Sequence, residues 1–226
     1  MTITTTTLTR GAAVAAVLAG LAYVAIQFIH PADVIESLSG QAWVSVHILS
    51  FAEAILALIG VTGLYLYQSR KAGILGLVGY LMFGLFFILQ ASFNFAEALI
   101  APLIAVSAPQ LAVDFVGLFG RYPAETDLGA LAAVPLVGLI LYAGGALLFG
   151  IAMLRARMLS RGAAILLIVA AAVTPLAALL PHAIERMAAV PMGLALVWLG
   201  CSLWMNTRAN SARRTPADSD RIVVAN

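Results

Sequence analysis

Long apolar runs alternate with short polar breaks along this chain. Neither the two-residue alternation of a half-buried strand nor the narrow apolar stripe of a soluble amphipathic helix prevails. Runs of about twenty residues, enough to cross hydrocarbon as a helix, lie near 11–29, 42–67, 72–99, 129–154, 162–180 and 189–205. The pattern predicts an all-α polytopic bundle of about six transmembrane spans. The first run has only Arg10 before it and more spans after it, so it reads as a retained helix and not as a cleaved leader. The Thr-rich start and the polar end are too short and hydrophilic to bury a face. Residues 1–10 and 206–226 are therefore expected to be disordered cytoplasmic ends around a membrane domain at 11–205.

Composition agrees with a bilayer as solvent: 63% of the 226 residues are hydrophobic and 10% charged, with a mean hydropathy of +1.04, whereas ordinary soluble domains carry about a quarter charged residues. Charge then orients the bundle. With the N-terminus in the cytoplasm, Arg10, Arg70, Lys71, Arg155, Arg157, Arg161, Arg208, Arg213, Arg214 and Arg221 fall inside, and only Arg121 and Arg186 outside. Most acidic residues take the other side, among them Asp33, Glu36, Asp114, Glu125, Asp127 and Glu185. The basic residues form no continuous stripe, which excludes nucleic acid as a partner. The single cysteine, Cys201, allows no intrachain disulfide and is expected in the core.

Small residues mark where helices approach closely: Ala12, Ala16 and Gly20 at spacing four, Gly60 with Gly63, and Gly73, Gly76 and Gly79 at spacing three. These seams suit an intramolecular bundle, and the same faces suit a homo- or hetero-oligomer.

Ionisable groups inside spans point to function, because a charge in hydrocarbon costs at least about 2.5–3.5 kcal/mol. Measured from an outer boundary near Trp43, His47 lies roughly 6 Å deep and Glu53 roughly 15 Å deep, near the midplane. Ser50 stands between them, three residues from each, so the three form a slanting polar track. Gln90, Asn94 and Glu97 stand at spacings four and three and share one face of the next span. His182, Glu185 and Arg186 form a third cluster between the last two runs. Pro135 and Pro175 fall in the outer thirds of their spans, where each frees a backbone carbonyl. The longest outer loop, 107–128, carries Leu111, Phe115 and Leu118 as an amphipathic strip suited to the membrane interface and placed to cover a cavity. Trp43 and Trp204 read as interfacial anchors and Trp198 as packing.

These tracks are expected to converge on an outward-facing polar cavity. Imidazole and carboxylate suit a metal ion, with His47, Glu53, Glu97 and His182 as the ligand candidates, but no HExxH or paired-cysteine spacing is present. His47 and His182 form the one obvious pair for axial ligation of haem. The competing reading is structural: Glu53 hydrogen-bonds His47, Asn94 or Arg186 and fixes the bundle.

The stretch from Trp43 to Tyr65, with His47, Glu53, Gly60, Gly63 and Leu64, resembles small multi-span bacterial membrane proteins of unknown function. The resemblance extends to Glu97 before Pro102, to Ala108 with Pro109, and to Gly150, Ile151, Ala152 and Arg155, about half of the chain. It implies a bacterial inner-membrane location and no catalytic role. Small-ligand or ion binding, extending to transport, is the first functional reading. A non-catalytic membrane partner or scaffold subunit is the second, and a metal-dependent membrane enzyme the third.

Overall fold

The structure, a computed structural model, describes residues 3–119, 123–177 and 186–214, with residues 213 and 214 described as backbone only. The described residues are helices and connecting turns, with no strand among them. Four helical stretches are long and apolar enough to cross a membrane. Leu66, Leu81, Leu85 and Ile88 stay exposed along them, an apolar surface suited to lipid and not to water.

Helix α1 (Thr5–Ile29) starts earlier than the polar composition of residues 1–10 predicts. The reason is a cap: Thr4 Oγ1 accepts from the Thr7 amide at 3.2 Å, satisfying a donor that the first turn leaves free. The C-terminal helix likewise runs past the expected boundary at 205, so 206–214 is helical. Residues 1–2 and 215–226 lie outside the described residues. After α1 come a short helix α2 (Ile35–Leu38) and the 59-residue α3 (Gln41–Leu99).

A straight helix of that length would extend roughly 88 Å, close to three hydrocarbon thicknesses. It turns back at Gly73 instead, where φ is 60° and ψ −165°, a conformation essentially reserved for glycine. The spacing argument had assigned Gly73 to a packing seam; a Cβ there would meet nothing, and the residue serves the turn. The arms 41–72 and 74–99 run antiparallel. Tyr65 and Tyr80 stack at 4.6 Å, Thr62 and Tyr80 hydroxyls meet at 3.2 Å, and Gln90 reaches Glu53 at 2.8 Å.

Helices α4 (Ala101–Ser107) and α5 (Pro109–Val116) with a 3-10 turn Gly117–Phe119 fold over the open end of these arms. Phe115 of the expected interfacial strip, together with Phe119, packs on Phe93 at ring distances of 4.8 and 5.0 Å. Ala112 and Val116 join Leu38, Trp43 and Ala101 in a small core beneath it. The segment therefore covers the bundle end.

The next membrane-length stretch combines a 3-10 turn Gly129–Ala133, α6 (Val134–Leu139), a π turn Ile140–Gly144 and α7 (Gly145–Ala156). Pro135 stands in the first turn of α6, where its missing N–H costs no hydrogen bond, so it starts a helix where a break was expected. Helices α8 (Arg161–Ala177), which contains Pro175, and α9 (Val190–Arg214), preceded by a 3-10 turn Arg186–Ala189, complete the bundle. α1 packs along α9 and α3, and α7 along α3 and α8.

The remaining seams are filled within the chain. A Cβ on Gly60 would stand 2.7 Å from Ala16 Cα, and one on Gly193 would stand 2.7 Å from the Gly20 carbonyl. Cys201, expected in the core, is exposed, whereas Trp198 covers Gly162.

Candidate functional site

Trp43 is wholly buried and is not an interfacial anchor. Its Nε1–H donates to the Glu97 carbonyl at 2.7 Å and ties the start of one arm of α3 to the end of the other. One turn along, His47 stacks on the indole at 4.1 Å, and its Nδ1–H donates to the Trp43 carbonyl at 2.8 Å. That bond commits Nδ1 as donor and aims Nε2 at the Glu97 carboxylate, 3.5 Å away, an ion-pair distance and not a hydrogen bond. Ser50 donates to the Val46 carbonyl at 3.0 Å, and Asn94 to the Gln90 carbonyl at 2.8 Å. Gln90 Nε2 donates to Glu53 Oε2 at 2.8 Å.

The two tracks read along α3 thus face each other, because the antiparallel fold-back sets His47 opposite Glu97 and Glu53 opposite Gln90. Glu53 bonds Gln90 and none of the partners that the structural reading named. His182 and Glu185 of the third cluster lie outside the described residues. Arg186 forms an ion pair with Asp33 at 2.9 Å.

Five residues of this site were missed in the sequence. His30 and Asp33, just beyond α1, close the mouth; Tyr23 and Gln27 of α1 line the floor; Trp43 is its rear support. The signal was present in part: His30, Pro31 and Asp33 follow directly on the first apolar run, on the side where the other polar groups gather. His30 packs edge-on to His47 at 4.9 Å. Burial holds its imidazole below the ordinary histidine value, partly offset by its bond to the Pro31 carbonyl.

Two adjoining cavities result. The larger, about 380 Å³, has Phe86, Leu89, Phe93, Val116 and Phe119 along one side. His30, Asp33, Asn94, Glu97 and Arg186 form the other. The smaller, about 240 Å³, is polar and shares His30, Gln90, Asn94 and Arg186 with the first. Its remaining wall includes Tyr23, Gln27, Ser50 and Glu53. Glu53 Oε1 and Gln90 Oε1 are buried there without a hydrogen-bond partner.

At the covering segment, Asp114 accepts from the Thr126 amide at 2.7 Å and from Gln110 at 2.9 Å. Hydrogen bonding from the Thr126 side chain is the main cause holding its carboxyl below the ordinary aspartate value, with the Thr126 amide and Gln110 adding to it.

Among the described residues, no three His, Cys, Asp or Glu side chains come together as a metal site. His47 is also turned away from the haem role considered for it: Trp43 and His30 pack against its ring, Nδ1 is bound to backbone, and Nε2 faces Glu97. No known protein family, curated protein or solved structure matches the chain.

Proposed function

We propose that this chain is a six-span protein of the bacterial cytoplasmic membrane that binds a small amphipathic ligand in the larger cavity, opening away from the cytoplasm. The six spans are α1, the two arms of α3, the stretch through α6 and α7, α8, and α9. Basic residues at the Gly73 turn and the α7–α8 turn support cytoplasmic placement of that end and of both termini.

One observation carries the ligand reading: a cavity of about 380 Å³ with an aromatic wall facing a polar one. That volume takes a small organic molecule. A purely polar solute would leave Phe86, Phe93 and Phe119 in water, and a plain hydrocarbon would leave Asn94 and Glu97 unpaired. An amphipathic molecule satisfies both walls. A scaffold has no use for such a space, and the described residues present no nucleophile, base and orienter arranged for an enzyme.

Gly138 stands at the cavity wall, where an added Cβ would meet only Leu89 and Phe119 side chains, at 3.8 and 3.9 Å. Gly138→Phe fills the space. We expect it to weaken binding of the neutral dye N-phenyl-1-naphthylamine roughly tenfold or more while the protein melts as the wild type does. Equal affinity in both proteins, or no binding of any amphiphile by the wild type, would refute the reading.

A further inference from the structure

We propose that the smaller, polar cavity adjoining the ligand cavity is a cation site at which Glu53 holds either a proton or the charged head of an amphipathic monovalent organic cation, one excluding the other. The inference deepens the cavity reading and rests on it.

Glu53 is 1% exposed and sits near the middle of its span. Gln90 donates to Oε2, while Glu53 Oε1 and Gln90 Oε1 have no partner. Both open atoms are acceptors. The hydroxyl donors around them are already engaged. Tyr23 meets Tyr142, which meets Thr174 at 3.0 Å; Thr174 donates to the Ala170 carbonyl, and Ser50 to that of Val46. One amide hydrogen of Gln27 goes to the Tyr23 carbonyl and one of Asn94 to the Gln90 carbonyl. The second hydrogens of these amides remain free, so what the described part of the floor lacks is positive charge.

Among the described residues, the groups facing Glu53 supply no counter-charge. They are Tyr23 and Gln27 of α1 with His30 beyond its end, Tyr142 of the π turn, and Gln90, Asn94 and Glu97 of the opposite arm. Arg186 borders the same space, but Asp33 holds it at 2.9 Å. A buried carboxylate with no cation is costly in a membrane. A proton or a bound cation removes that cost, and once either is in place the carboxylate has no net charge left for the other. The organic part of the ligand then lies against Phe86, Leu89 and Phe93, which a bare metal ion would leave unused. In the exchange the O–H bond of the Glu53 carboxyl breaks, its proton leaves to water at the cavity mouth, and the cation takes its place. The charge of the site is unchanged.

The test is calorimetric titration of the purified full chain with (4-phenylbutyl)trimethylammonium, whose charge does not depend on pH, and with neutral 4-phenylbutanol. We expect affinity for the cation to fall by up to about tenfold per pH unit on acidification, with release of about one proton measured across buffers of different ionisation heat. Glu53→Gln should abolish both effects. Glu53→Asp should keep them, which guards against a Gln variant that simply misfolds. Wild-type binding that ignores pH, or pH dependence surviving in a folded Glu53→Gln, overturns the proposal. Proton release driven by sodium chloride alone overturns the organic assignment. Binding of phenylbutanol without the cation overturns the cation site and leaves the cavity reading standing, whereas binding of neither refutes both.

Discussion

At the end of the bundle where α3 turns on Gly73, helices meet through glycine and alanine. Gly79 lies against the Phe149 and Leu148 backbone, Gly63 against Ala12, and Gly76 against Ala152. At the opposite end, between His30 and Glu97, large rings and paired polar groups hold the same helices apart and leave two cavities. Polar side chains at the turn end close on the chain itself: Ser202 accepts from the Ser160 amide at 2.9 Å, and Asn206 donates to the Met158 carbonyl at 3.0 Å. Those at the cavity end leave acceptors open. The contrast sets close backbone packing at one end against open polar space at the other, along helices that are continuous between them.

The harshest test puts a side chain on a glycine at each end. Gly79→Val drives a Cβ into the Phe149 amide and within 2.9 Å of the Leu148 carbonyl carbon, and backbone cannot move aside as a flexible side chain does. Such overpacking costs about 3 kcal/mol or more. We expect the variant to be lost from the monodisperse peak in gel filtration, whereas Gly138→Phe elutes and melts normally. If Gly79→Val were as stable as wild type, the close seam at the turn end would not be what holds these helices.

How far the sequence disclosed this division depends on the kind of signal. The all-helical character and the long apolar helices were legible because hydrocarbon demands long apolar runs, and the two tracks because spacings of three and four fix a helix face. The partnership of those tracks required knowing where α3 reverses, and Gly73 looked like one more small residue in a seam. Trp43 at a span boundary carried the composition of an anchor, yet the covering segment 100–119 buries it. No periodicity foretells the path of that segment. The pairing of Arg186 with Asp33, 153 residues apart, had no local signature at all.

A smaller effect belongs to the cavity end and depends on pH. Asp114 pins the covering segment through Thr126 and Gln110, and its carboxyl titrates below the unfolded value of about 3.9. Its contribution is therefore complete above about pH 4 and lost as the pH falls through the lower, folded value. Amide protection factors in 107–119, corrected for the pH dependence of intrinsic exchange, should fall on acidification in the wild type. Asp114→Asn should be less protected than wild type at neutral pH and change little in protection with acid. The turn end, with no such anchor among its described residues, should show no matching step. An acid response retained in the variant would assign it to another group.

The smallest effect expected concerns one exception at the turn end. Gln68 is completely buried, and neither its Nε2 nor its Oε1 has a hydrogen-bond partner. Burying an amide without partners costs about 1–3 kcal/mol by mutational measures, and methionine fills nearly the same volume with no strong polar atom to satisfy. Gln68→Met should therefore raise the melting temperature, by about 2 °C for a gain near 1 kcal/mol in a chain of this size, and leave binding of amphiphiles unchanged. The corresponding exchange at the cavity end, Gln90→Met, removes the one donor to Glu53 and should alter binding. A Gln68→Met protein that melted lower, or bound differently, would show that this glutamine has work at the turn end, and the division between the two ends would have to be redrawn there.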